Sequence, residues 1–200
     1  MTTMTQWSRS SVLPVLTAAL LMLSVGVNVM QARRIKTMVN AKAAAVSSVG
    51  RRVVPLEGFS PEGTPVLRDV ARDVPTVLYY FSPTCVWCDR NWDNIRALEG
   101  GAQGRYRVVL VTRARDVRQY LSERGLALEV VEGISDTVVE AYRFNGTPQT
   151  VVASIEGVVS HEWRGAFTPR IERQLEELFG IYLPGIAAPA ETLPLTSQTR

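Results

Sequence analysis

Cys85 and Cys88 are the only cysteines in this chain of 200 residues, and they stand two residues apart in Phe81-Ser-Pro-Thr-Cys85-Val-Trp-Cys88-Asp-Arg-Asn-Trp92. Two thiols at this spacing can cycle between dithiol and disulfide, or supply half of a zinc site. A four-ligand zinc site needs two more soft ligands, and the chain offers no third cysteine and one histidine, His161, so no metal site is expected. An inert structural bridge is disfavoured too, because closing so short a loop constrains the unfolded chain little. Thiol–disulfide exchange is the chemistry that fits best.

That chemistry needs a thiolate, because the thiolate is the form that attacks a disulfide. The β-branched and aromatic run Val77-Leu-Tyr-Tyr-Phe81 predicts a buried strand, Pro83 stops it, and Thr84 is the expected helix N-cap. Beyond it, Cys88, Trp92, Ile95 and Leu98 fall on one helical face and Asp89, Arg90, Asp93 and Arg96 on another, which predicts a single helix from the cysteines to about Glu99. Cys85 then lies in the first turn, where unpaired N–H groups and the helix dipole favour a thiolate, and is the candidate nucleophile. Cys88, one turn later on the inward side, is the candidate resolving thiol.

The elements around this stretch alternate. Residues 53–56 and 64–67 flank turn signals at Gly58, Pro61 and Gly63 and suggest a small hairpin. A strand over 76–81, the cysteine helix, a Gly-rich turn and a strand over 106–112 form a β-α-β unit, whose strands should be parallel. A helix over 115–124, a strand over 127–131 and a helix capped by Ser135 or Asp136 follow. Residues 149–154 and 158–163 alternate like two antiparallel strands. A last helix opens on Thr168 and Pro169, buries Ile171, Leu175, Leu178 and Phe179, and ends at Gly180.

The chain's ends have a different character. Residues 12–30 carry no charge and would span about 28 Å as a helix, close to the hydrocarbon thickness of a bilayer. The stretch is longer than the usual apolar region of a signal peptide and lacks a small-residue cleavage pattern, so it is read as an uncleaved anchor behind a short tail, 1–11. Residues 31–52 form a polar spacer, 53–183 the folded domain, and 184–200, rich in Pro, Ala and Thr, a disordered tail. With 46% hydrophobic and 20% charged residues the balance is globular, and one core is expected. The net charge of +3 comes from scattered arginines without a dense basic cluster, so no nucleic-acid partner is expected.

The order strand, C-x-x-C at a helix start, further β/α elements, Thr147-Pro148, antiparallel hairpin and closing helix resembles the thioredoxin fold: α/β, a mixed central sheet flanked by helices, here with an N-terminal transmembrane helix. The lead-in and anchor make it similar to membrane-tethered thioredoxins of the TlpA/ResA type, with MauD-like proteins as kin through Ser82-Pro-Thr-Cys85. The resemblance implies a thiol:disulfide oxidoreductase that reduces or exchanges disulfides in extracytoplasmic clients. By that resemblance Cys85 attacks, Thr147 offers backbone hydrogen bonds to the client, and Pro148 is cis and faces the disulfide. The redox group is the Cys85–Cys88 disulfide itself, with no other cofactor. Partners are client thiols and disulfides and, in addition, a membrane electron donor.

Trp87 reads either as a surface aromatic or as the apolar platform for a client chain. The position six residues before Cys85, a buried acid in thioredoxins proper, is Tyr79, so a water, another carboxylate such as Glu140, or a tyrosine would serve Cys88 instead. Asp89 opposes the helix dipole. His161 is assigned no role. A thiol peroxidase of related fold would need a proline where Leu78 stands, and a redox-inactive binding or assembly module on the same fold is the remaining alternative.

The resemblance places the domain in the periplasm of a bacterium, on a single-pass inner-membrane anchor. The charge rule points the other way, with Arg9 before the span and Arg33, Arg34, Lys36 and Lys42 after it.

Overall fold

The computed structural model describes residues 12–187 and divides them into two compact units, with the boundary between Ser47 and Ser48. The first is one helix, α1, Val12–Val46. Within it Pro14–Lys36, 23 residues with exposed side chains, is long and apolar enough to cross a membrane. The expected spacer is therefore helical as far as Val46, in keeping with its Ala-rich sequence. The tail 1–11 and residues 188–200 lie outside the described residues.

The second unit starts five residues ahead of the expected boundary at 53, because the stretch after Ser47 is already bonded to the sheet. Gly50 N–H donates to the Val159 carbonyl at 2.9 Å, Arg52 bridges Val158, and the Ser48 N–H and hydroxyl both donate to Glu162 Oε2, at 2.6 and 2.8 Å. Strands β1 (Leu56–Phe59) and β2 (Pro65–Arg68) make the small antiparallel hairpin.

The main sheet contains β3 (Thr76–Tyr80), β4 (Arg107–Val111), β5 (Glu129–Val131), β6 (Gln149–Ala153) and β7 (Val159–Arg164) in the order β5-β4-β3-β6-β7. The first three are parallel, and β6 and β7 run antiparallel, so the sheet is mixed as expected. Its helices are α2 (Val86–Asp89), α3 (Trp92–Ala102), α4 (Arg118–Ser122), α5 (Asp136–Tyr142) and α6 (Pro169–Phe179).

Central strand β3 is buried along its whole length, and its side chains alternate between two cores. Val77, Tyr79 and then Phe81 pack with Cys88, Ile95, Leu98, Leu175 and Phe179 beneath α2, α3 and α6. Leu78 and Tyr80 face the other way, against Val138, Tyr142 and Phe144. Each such apolar side chain contributes about 1.5–3 kcal/mol by leaving water.

Three local expectations need correcting. The cysteine helix is not continuous: it stops after Asp89 and restarts at Trp92, because the Asn91 side chain turns inward to buried partners. Leu178 is 41% exposed, since Leu175 and Phe179 take the inward face of α6. Pro184–Ala187, assigned to a disordered tail, are tied down: Gly185 N–H donates to Asn94 Oδ1 at 3.0 Å and Ala187 N–H to the Arg90 carbonyl at 2.9 Å.

Candidate active site

The site lies where β3 runs out. Phe81 N–H still pairs with the Val111 carbonyl at 3.0 Å; then Ser82-Pro83-Thr84 turns the chain, with Cys85 N–H closing onto the Ser82 carbonyl at 3.1 Å. Cys85, not Thr84, is the N-cap of α2: its backbone is extended and its Sγ accepts from Cys88 N–H at 3.3 Å. Because α2 has only four residues, local support for a Cys85 thiolate comes from that one N–H rather than from the dipole of a long helix.

On its other side the Cys85 thiol donates to the Thr147 carbonyl at 3.3 Å. The Thr147–Pro148 peptide is cis, and Pro148 is buried and anchored by Gly165 N–H on its carbonyl at 2.8 Å. The fold thus brings Cys85, Cys88 and Thr147 together from sequence positions 62 residues apart.

The two cysteines are free thiols in different surroundings: Cys85 is half-buried, Cys88 fully buried. Burial pushes the Cys88 thiol well up, and the neighbouring Cys85 sulfur adds to the rise. The Ser82 backbone and Thr147 side chain pull the other way without cancelling it. A half-buried sulfur and a fully buried one match the nucleophile and resolving positions.

Trp87 and Val86 project outward, 52% and 68% exposed, and the Arg90 guanidinium carbon lies 4.7 Å from the Trp87 ring centroid. Arg90 also donates to the Ala187 carbonyl at 2.7 Å. Asp89 does not stand alone against the helix start. It accepts from the Tyr120 hydroxyl at 2.7 Å and from Arg124 Nε at 2.9 Å, with Arg124 over the Tyr120 ring at 3.7 Å.

Two candidates fall outside this group. Glu140 is exposed on α5, which packs on the opposite sheet face, and so does not serve Cys88. His161 is exposed on the edge strand β7, stacked on Trp163 with ring centroids 5.5 Å apart. Among the described residues no group of three His, Cys, Asp or Glu is placed to hold a metal.

The sequence reading passed over Asn91 and Asn94, both fully buried. Asn91 Nδ2 donates to the Tyr79 hydroxyl oxygen at 3.1 Å, and Asn91 Oδ1 accepts from Asn94 Nδ2 at 3.0 Å and from Phe167 N–H at 3.1 Å. A signal existed: Asn91 stands three residues after Cys88, on the same helical stripe, so a polar side chain was aimed at the core.

This sheet order, with helices on both faces and a C-x-x-C pair after the central strand, is the thioredoxin fold. No protein-family model and no curated protein matches the chain. Solved structures do. The thioredoxin domain of a thiol-disulfide oxidoreductase from Bacteroides vulgatus aligns over 66% of this chain and 97% of its own, at 15% identity and a TM-score of 0.54. A thioredoxin-family thiol:disulfide interchange protein from Chlorobium tepidum aligns over 65% and 96%, at 15% identity and 0.53. A peroxiredoxin-like protein from Aquifex aeolicus aligns over 65% and 86%, at 15% identity and 0.52. At such identities the likeness is one of fold.

Proposed function

We propose that this chain is a membrane-tethered thiol:disulfide oxidoreductase of the TlpA/ResA type, acting on disulfides of extracytoplasmic client proteins. The observation that carries this is the pairing of a reachable Cys85, hydrogen-bonded to Cys88 N–H and the Thr147 carbonyl, with a fully buried Cys88. Cys85 thiolate attacks a client disulfide, forms a mixed disulfide and releases one client sulfur as a thiol. Cys88 loses its proton and attacks Cys85 Sγ. The Cys85–Cys88 disulfide forms, the second client sulfur departs and is protonated, and two electrons have passed to the client.

The Thr147 carbonyl, which holds the Cys85 thiol in the free protein, is the group a client N–H would meet beside the sulfur, with Pro148 behind it. Trp87 is the apolar surface on which the client chain lies. A membrane electron donor returns the disulfide to the dithiol, and no further cofactor is needed. Leu78 argues against a peroxidase in spite of the peroxiredoxin-like neighbour, and the retained dithiol argues against a redox-inactive module.

The test uses two variants of the full chain expressed in a bacterium. Cys88→Ser should accumulate mixed disulfides with clients on diagonal gels, and Cys85→Ser should accumulate none. Trapping through Cys88 instead would reverse the roles, and trapping by neither would remove the oxidoreductase reading.

Export to the periplasmic side of the inner membrane is part of the same proposal. Alkaline phosphatase fused after Ser47 should be active. An inactive fusion, paired with a fluorescent cytosolic one at the same point, would place the domain inside.

A further inference from the structure

Only four residues make up α2, so the arginine that closes it stands near the cysteine that opens it. Arg90 N–H donates to the Val86 carbonyl at 3.2 Å, and at 1.5 Å per residue Arg90 lies about 7.5 Å along the helix axis from Cys85. Its side chain is half-buried and fixed at both faces. The guanidinium carbon is 4.7 Å from the centroid of the exposed Trp87 ring, and Nε donates to the Ala187 carbonyl at 2.7 Å. Ala187 N–H donates back to the Arg90 carbonyl at 2.9 Å. The segment that carries Ala187 is itself held, by Leu183 N–H on Glu176 Oε1 at 2.9 Å and Gly185 N–H on Asn94 Oδ1 at 3.0 Å. The rotamer freedom that an arginine gives up on binding an anion is here given up in advance.

The charge held there is uncompensated. Asp89 and Asp93 flank Arg90 in the chain, yet both are taken by other arginines: Asp89 pairs with Arg124 at 2.9 Å and accepts from the Tyr120 hydroxyl at 2.7 Å, and Asp93 pairs with Arg96. Among the described residues no carboxylate comes within ion-pair distance of Arg90, and neither of its Nη atoms has an acceptor. A guanidinium presents five N–H donors in a planar fork, and only the one on Nε is engaged. The Nη donors, which suit a carboxylate, are uncommitted beside the ring on which the client chain lies.

Building on the exchange function proposed above, we infer that Arg90 determines specificity by binding an acidic side chain of the client, so that the preferred substrates are disulfides flanked by Asp or Glu. An extended chain advances about 3.3 Å per residue, so the acid that meets Arg90 stands about two or three residues from the client cysteine under attack. A neutral residue there leaves the guanidinium unpaired, and a basic one is repelled.

Peptides with blocked ends test this on the reduced full chain in an uncharged detergent. Each carries one cysteine as its 2-pyridyl disulfide, with Asp, Asn or Lys two residues to either side. Cys85 thiolate attacks the peptide sulfur, the Cys85–peptide bond forms, and pyridine-2-thiol, the better leaving group, departs as a coloured thione; Cys88 then displaces the peptide thiol. At low salt the thione release should be about fivefold faster from the Asp peptide than from the Asn peptide, and slowest from the Lys peptide. At about 1 M salt, where the screening length is about 3 Å, the three rates should converge. Arg90→Gln should bring the Asp and Asn rates together, and Arg90→Glu should invert the order of Asp and Lys. Equal rates in the parent at low salt overturn the inference. So does an Asp preference that persists in both variants, which is the outcome if the substitutions only loosen the turn and slow all three peptides alike. A parent chain that releases no thione from any peptide overturns the oxidoreductase reading, a result distinct from either of these.

Discussion

Tyr79 and Tyr80 are adjacent on β3 and point to opposite faces of the sheet, and the cores they enter are built differently. On the Tyr80 side the rings lie flat on one another: Tyr80 and Phe144 are 4.5 Å apart at 13°, and Phe144 and Tyr142 5.4 Å apart at 17°. On the Tyr79 side the rings around Trp92 meet edge to face, Tyr79 with Trp92 at 5.5 Å and 67° and Phe81 with Trp92 at 5.2 Å and 76°, while Phe81 stacks on Tyr120 at 6.0 Å and 13°. Buried amides, Asn91 and Asn94, sit among them. The stacked face is held mainly by apolar contact, with the Tyr142 hydroxyl donating to the Val54 carbonyl, whereas the cysteine face carries buried amides that are tolerable only while each has its partner. Both sides of β3 carry an apolar core, and the candidate chemistry lies on one of them.

The sharpest way to break that division is to damage the stacked face and look for a chemical effect. Phe144→Ala removes the middle ring of the stack and should cost about 3–5 kcal/mol in urea denaturation. Client trapping by Cys88→Ser in the same background should be unchanged, and reduced trapping would show that the two faces are coupled. Asn91→Ala strikes the other side. The Tyr79 oxygen, the Asn94 amide and Phe167 N–H each lose a partner, for a cost of about 3 kcal/mol. Here stability and client trapping should fall together, because the amide sits at the break that follows the cysteine turn.

The same contrast explains what could be read in advance. The sheet elements were readable because β3, β6 and the cysteine stripe are apolar with a clear period, and because Pro83, Gly180 and the Thr168-Pro169 pair punctuate them. Cys85 and Cys88 were legible from their spacing and Thr147 only through the family resemblance, and the fold brings these three together. What escaped was set by long-range partners. The break at Arg90 and Asn91 depends on Phe167 N–H, 76 residues away, and the pairing of Asp89 depends on Arg124, 35 residues away. The Ser48 side chain is tied to the domain through Glu162, 114 residues away, and no local pattern announces that contact.

Glu162 tests whether the rim of the stacked face behaves as a polar site of its own. Its side chain is only 5% exposed; Oε2 accepts twice from Ser48, and Oε1 accepts from Arg164 Nε at 2.6 Å and Gln149 Nε2 at 3.2 Å. Burial alone would raise its pKa, but the Ser48 and Arg164 bonds outweigh it and hold the carboxyl below its usual range. A depressed folded-state value means that the stabilisation is complete above the unfolded value of about 4.3 and is lost as pH falls through the folded one. Glu162→Gln should therefore cost about 2 kcal/mol at neutral pH, by loss of hydrogen bonds to a charged group, and the gap to the parent should shrink below about pH 4. A gap that stays constant down to strong acid would mean that the carboxylate charge contributes nothing.

The smallest effect gives the cleanest comparison, because Tyr142→Phe and Tyr79→Phe each delete one oxygen from one face of the sheet. Tyr142 donates to the Val54 carbonyl, and this is the hydroxyl contact that ties α5 to the chain leading into β1. Deleting it removes one neutral hydrogen bond and leaves the ring in its place against Phe144, so the cost should be about 1 kcal/mol. Tyr79→Phe also removes one neutral hydrogen bond, that from Asn91, and its stability cost should be of the same size, about 1 kcal/mol. Equal costs in urea denaturation would show that the two faces hold a buried hydroxyl equally well. A clearly larger cost for the Tyr79 variant would show that the buried Asn91 amide, left without its acceptor, is the more expensive group to strand.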